Sequence, residues 1–317
     1  FEQGWLPPEL RVALGFALGI GLLVGGVFLR RKEYTITSHT LGGTGILVLY
    51  GVTFACRAVY HFAFFGPLAT FALMSLITVV AFVVAVRLEA LVVAVLGMVG
   101  GFLTPVLLST GQDAPIALFS YIALLDAGLL ALVWRRRWAV LAPLAAAGTV
   151  ILLVGWTSRF FAPGHYFEGT RTLIPMGILV GFNLMWLAAT WITHRAGREE
   201  RWLSDSAAGL TAVAFLFGLY FQTFNELAGR PWLLLSYLFV IDGIALALSH
   251  WTRRLALVFP AAGAMVFAQL ALWMSTRVTA ELLPAALVFT LIFAVVHSGW
   301  PLAWQRITGS TLAPPQW

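Results

Sequence analysis

Residues 115–137 read PIALFSYIALLDAGLLALVWRRR. From Pro115 to Trp134 only Asp126 carries a charge, and Arg135, Arg136 and Arg137 then close the run. A helix of about 20 residues rises about 30 Å, the thickness of a bilayer's hydrocarbon core. Pro115 suits the first helical turn, where its missing N–H breaks no bond, and the arginines suit a cytoplasmic end. The stretch reads as one membrane-spanning helix with an acid near its middle. Residues 235–254, LSYLFVIDGIALALSHWTRR, repeat the pattern: Ser236, Tyr237 and Asp242 keep the spacing of Ser120, Tyr121 and Asp126.

The rest of the chain has the same character. It is 61% hydrophobic and 10% charged, with mean hydropathy +0.92, whereas a soluble domain carries about 25% charged residues. Apolar runs predict eleven spans: 8–29, 41–63, 67–86, 89–109, 115–134, 138–157, 173–194, 206–226, 231–250, 255–275 and 281–303. The fold class is therefore all-α, a polytopic integral membrane protein. The net charge of +6 does not indicate nucleic-acid binding, because the basic residues sit at span ends. Cys56 is the single cysteine, which excludes an intrachain disulfide and a cysteine-based metal site. The chain begins at Phe1 rather than Met, so an N-terminal portion is expected to have preceded it; no signal-peptide pattern is visible.

Orientation follows from the basic residues. Alternate joints hold Arg30, Arg31 and Lys32; Arg87; Arg135, Arg136 and Arg137; Arg195, Arg198 and Arg201; Arg253 and Arg254; and Arg306. The other side holds only Arg11, Arg159, Arg171, Arg230 and Arg277, with Arg57 inside a span. Basic loop residues stay cytoplasmic, which predicts an outside N-terminus and a cytoplasmic C-terminus.

Proline spacing suggests internal repetition. Pro8, Pro115 and Pro231 open outer span ends, as do Pro67, Pro175 and Pro284, and a basic residue follows each about one span later. Three parallel repeats of four helices are expected, at 1–110, 111–228 and 229–317, the last short by one helix. GGFLTPVLLSTG at 100–111, followed by the span 115–138 ending in RRRW, resembles a family of bacterial multi-pass membrane proteins, the domain of unknown function DUF2339. The resemblance is specific from about Phe64 to Trp156. It implies a bacterial inner-membrane location and carries over no catalytic residue.

Asp126 and Asp242 each lie eleven residues past a span-opening proline, about 16 Å into the membrane. An ionised carboxylate there costs at least about 2.5–3.5 kcal/mol, so each acid must face protein or water, or carry a proton. Functionally, such acids bind a cation, a proton or a polar head group; structurally, they bond a neighbour and fix packing. Gly19 occupies the corresponding place in the first repeat. Tyr121 and Asp126 are about 140° apart on a helix, so Ser120, Tyr121, Ser236 and Tyr237 are expected to make interhelical contacts rather than a relay.

Other polar groups carry weaker signals. Arg57 and His61 are four residues apart in the second span and are expected to share an outward face, as an anion site or a snorkelling pair. In GMVGGFLTP, Gly97 and Gly101 make a close-packing face, and Pro105 is expected to kink or unwind the helix near Gly100 and Gly101. Gly21 and Gly25 form a second packing stripe. Asn183, Gln222, Gln269 and His297 read as hydrogen-bonded glue. The joint 157–172, with Phe160, Phe161, Tyr166 and Phe167, reads as an interfacial aromatic belt or a lid, and 195–205 as a solvated turn.

Hydrolase, zincin and nucleotide-loop motifs are absent from the sequence. No metal or cofactor is expected, and no catalytic residue is assigned. The reading favours binding or movement of a small polar or lipid-linked solute through a cavity between repeats, with Asp126 and Asp242 as its polar centre. The alternatives are a structural subunit of a membrane assembly, with the acids as glue, and an outer-face enzyme on a lipid-linked substrate. In the last, His61 or Asp126 would be the base and Arg57 the anion clamp. Expected partners are membrane lipids and other membrane subunits, not nucleic acid.

Overall fold

The computed structural model describes residues 7–109, 111–162, 166–167, 169–251 and 255–308. Helices are the only regular elements among the described residues. They are α1 (Pro8–Arg31), α2 (Thr35–Ala58), α3 (Pro67–Leu88), α4 (Leu91–Leu107), α5 (Pro115–Arg136) and α6 (Leu141–Phe160). Then follow α7 (Leu173–Arg195), α8 (Arg201–Gln222), the short α9 (Asn225–Ala228), α10 (Pro231–Trp251), α11 (Val258–Arg277) and α12 (Leu283–Thr308). Each expected span corresponds to one long helix. Ten are long and apolar enough to cross a bilayer, and α4, with 17 residues, is at the lower limit of spanning length. The protein is an all-α polytopic membrane protein.

Two helices begin well before their apolar runs. α2 starts six residues earlier than hydropathy suggests and ends five earlier. Its polar first turns are tolerated because Ser38 is buried and donates to the Gly26 carbonyl of α1 at 2.8 Å. α8 starts at Arg201, with Ser204 and Ser206 bonding back to Arg201 and Trp202 carbonyls. The joint 195–205 is thus a short turn followed by the first turn of α8. Arg253 and Arg254 fall outside the described residues, as do 163–165 and 168 of the aromatic joint.

The chain packs as two compact units, Phe1–Leu152 and Leu153–Trp317. In the first, α1 lies tightly on α2 through glycine. A Cβ on Gly19 would come within 2.7 Å of Leu49, one on Gly15 within 2.6 Å of Val52, and one on Gly45 within 2.9 Å of the Gly19 carbonyl. Gly21 has nothing within 4 Å, and Gly25 only Leu41 at 3.8 Å. The packing stripe expected at Gly21 and Gly25 is therefore corrected to Gly15 and Gly19, which lie on the face that meets α2. α4 packs against three helices, again through glycine: Gly97 faces Ala81, Gly100 faces the Tyr50 ring, and Gly101 faces Thr78 and Leu125. At one end of this unit Glu89, in the left-handed conformation at φ 55, bridges Arg30 at 3.0 Å and Arg136 at 3.1 Å.

In the second unit α10 packs on α7, α8 and α11. Trp273 is fully buried and donates to the Ala228 carbonyl of α9 at 2.8 Å. Phe161, Tyr166 and Phe167 are buried too, with Phe161 packed edge-on against Phe224, Phe167 tilted against Phe224 and Phe161 tilted against Phe221. These three residues are therefore core, not an interfacial belt.

Candidate functional site

α10 places Asp242 halfway along its length, fully buried. α12 brings His297 to it, with Nε2 at 3.1 Å from both carboxylate oxygens. Nε2 thus lies evenly between the two carboxyl oxygens. The imidazole is held from its other side: a Cβ on Gly263 of α11 would lie 2.9 Å from His297 Nδ1. Phe259 and Phe267 flank the ring at 5.4 and 5.9 Å between centroids. Three helices thus fix one acid–imidazole pair in an aromatic setting, with Asp242 fully buried and His297 nearly so. Sequence reading assigned His297 to packing. The missed signal was depth, since His297 lies thirteen residues past Pro284 and Asp242 eleven past Pro231.

Asp126 occupies the equivalent place in α5 and is fully buried. Its Oδ2 accepts from the Thr149 hydroxyl of α6 at 2.6 Å. The two acids belong to different compact units, and each has its own partner.

The tyrosines of the two SY…D patterns act alike. Tyr121 donates to the Gly101 carbonyl of α4 at 2.9 Å, and Tyr237 to the Ala214 carbonyl of α8 at 2.7 Å. Ser120 and Ser236 are exposed. Adjacent helix residues point about 100° apart, so with each tyrosine turned inward its serine is carried out of the core. Neither serine joins an acid's surroundings.

Gly101 is the residue whose carbonyl Pro105 deprives of a helical N–H. The expected unwinding near Gly100 and Gly101 does not occur: α4 is continuous from Leu91 to Leu107. Tyr121 supplies the missing donor. Tyr50 completes a polar patch at the same level, its hydroxyl 2.6 Å from Thr78 Oγ1.

Arg57 and His61 do not share a helical face. α2 ends at Ala58, and His61 is exposed in a left-handed conformation at φ 49. Arg57 lies in the last turn of α2, and the described ion pairs do not include it. The shared helical face expected of this pair is absent because the helix stops short of His61. Asn183 links α7 to α8, its Oδ1 accepting from Thr211 at 2.9 Å. Gln269 reaches the Phe215 carbonyl at 3.0 Å. Among the described residues no group of three or more His, Cys, Asp or Glu could hold a metal ion.

A family model described as "Predicted membrane protein (DUF2339)" matches residues 1–313. Neither the curated proteins nor the solved structures give a significant match. With its family model spanning nearly the whole sequence, the chain belongs to the DUF2339 family of membrane proteins.

Proposed function

We propose that this membrane protein resides in a bacterial inner membrane and binds or moves a small polar or lipid-linked solute, with Asp242–His297 as its ionisable centre. The observation that carries the reading is the approach of His297 Nε2 to both oxygens of Asp242, at 3.1 Å, in the middle of α10. Packing alone needs only a hydroxyl or an amide. A carboxylate is costly in the bilayer and marks solute or proton paths, and an imidazole beside it adds a second group able to carry a proton. The inward orientation of the C-terminus rests on the basic last turns of α1, α3, α5 and α7.

A second reading, a scaffold subunit for other membrane proteins, draws on the burial of both acids at 0% exposure. Complementation of a deletion strain separates the two. Asp242→Asn and His297→Gln are expected to abolish function while membrane level and melting temperature stay near wild type. Retained function with reduced stability would instead favour the scaffold. A C-terminal fluorescent-protein fusion that stays dark, beside an active alkaline phosphatase fusion, would refute the orientation.

A further inference from the structure

Between α1 and α3 of the first unit runs an apolar groove of about 620 Å³. Its walls include Ile20, Val24 and Phe28 from α1 and Val80 and Val84 from α3, with Leu49 of α2 as the floor. The groove exists because glycine draws α1 onto α2: Gly15 and Gly19 bring the α1 backbone against Val52 and Leu49, leaving the facing side of α3 uncovered. Ile20, Val24, Phe28 and Leu76 are all more than half exposed.

Charge gathers at one end. Arg31 lines the groove and is exposed. Lys32 lies over the Phe28 ring at 4.9 Å. Arg87, exposed, continues the α3 stripe through Val80 and Val84 by one further turn. Of the neighbouring acids, Glu89 is engaged by Arg30 and Arg136, and Glu33, exposed beside Lys32, leaves Arg31, Lys32 and Arg87 in excess. Arg30 is spent on Glu89 and Thr35.

We infer that this groove is a lipid site: it holds one acyl chain of an anionic phospholipid, whose phosphate is bound by Arg31 with Lys32 and Arg87 beside it. The α3 wall from Leu73 to Val84 is about 16 Å long, close to half the hydrocarbon core of about 30 Å. Over that length its walls are apolar, and the cation Arg31 stands at its end, the order of an acyl chain and its phosphate. The charge complementarity of that end favours a phospholipid over an apolar helix of another subunit. A phosphodiester suits clustered cations, and a head group without a compensating ammonium suits them better. The groove belongs to the first unit and Asp242–His297 to the second, and the proposal does not depend on the function proposed above.

The test is native mass spectrometry of the detergent-purified protein with equimolar phosphatidylglycerol and phosphatidylcholine. One phosphatidylglycerol should be retained about tenfold or more over phosphatidylcholine, from about fivefold per engaged cation. Arg31→Ala with Arg87→Ala should remove most of that preference, and Arg31→Lys should keep much of it. Val24→Trp, at an exposed position, should displace the lipid while elution and melting temperature hold. If Val24→Trp fails to fold, the arginine variants still decide. Equal retention of both lipids by the wild type would overturn the proposal. So would retention that survives Val24→Trp in a folded protein, displacement by glycerol phosphate, or a dimer that Val24→Trp dissociates without any lipid being lost.

Discussion

The Tyr121 hydroxyl donates to the Gly101 carbonyl at 2.9 Å, the one carbonyl in α4 that Pro105 leaves without its helical donor. A proline inside a membrane helix is tolerated when a neighbour re-satisfies the freed group. Here the neighbour is α5, and the bond ties α4 to α5 just above the level of Asp126.

This arrangement predicts a coupling. Tyr121→Phe should destabilise the protein by about 1–3 kcal/mol, the cost of a buried acceptor left unmade. Pro105→Ala restores the N–H to Gly101, so Tyr121→Phe in that background should cost clearly less. A double-mutant cycle on unfolding in mixed detergent measures the difference, and equal costs in both backgrounds would refute the coupling.

Gly100 and Gly51 should respond oppositely to the same change. A Cβ on Gly100 would sit 2.3 Å from the Tyr50 ring, while Gly51 has nothing within 4 Å. Gly100→Ala should therefore lower stability by about 1–3 kcal/mol through overpacking. Gly51→Ala should be neutral or stabilising by up to about 1 kcal/mol. Melting temperatures of the two purified variants decide.

Gly263→Ala tests the ionisable pair without replacing either member. The added methyl would lie 2.9 Å from His297 Nδ1, and the ring can retreat only by disturbing its 3.1 Å approach to Asp242. Complementation by Gly263→Ala should match His297→Gln, with membrane level preserved. Wild-type complementation would show that the pair's geometry is not what matters.

Glu89→Gln should cost little. Its bridge to Arg30 and Arg136 is solvent-exposed, with the Glu89 side chain 57% accessible, and such pairs are worth about 0–1 kcal/mol. The loss should shrink further in high salt. A melting-temperature drop that persists in 1 M salt would contradict this.

Particular residues show where sequence reading reached and where it stopped. Pro115 and Arg135 bounded α5 closely because a proline start and a basic end are local signals. Ser38 and Ser204 lie in helices that hydropathy truncated, since helices continue past the membrane whenever their polar groups find partners. His61 looked like a helical neighbour of Arg57 because nothing in CRAVYHF announces that α2 ends at Ala58. Phe161 and Phe167 looked interfacial, since a loop's burial depends on what packs over it.

The sequence alone determined a bundle of apolar helices with an acid midway along α5 and α10. Bilayer thickness sets helix length, and the absence of water forces backbone groups to pair within each helix. Tertiary structure alone decided that Asp242 meets His297 while Asp126 meets Thr149, that Gly15 and Gly19 rather than Gly21 carry the α1–α2 contact, and that a groove opens beside Arg31. Residue spacing fixes the direction in which a side chain leaves its helix; which helix stands in that direction depends on packing among distant segments.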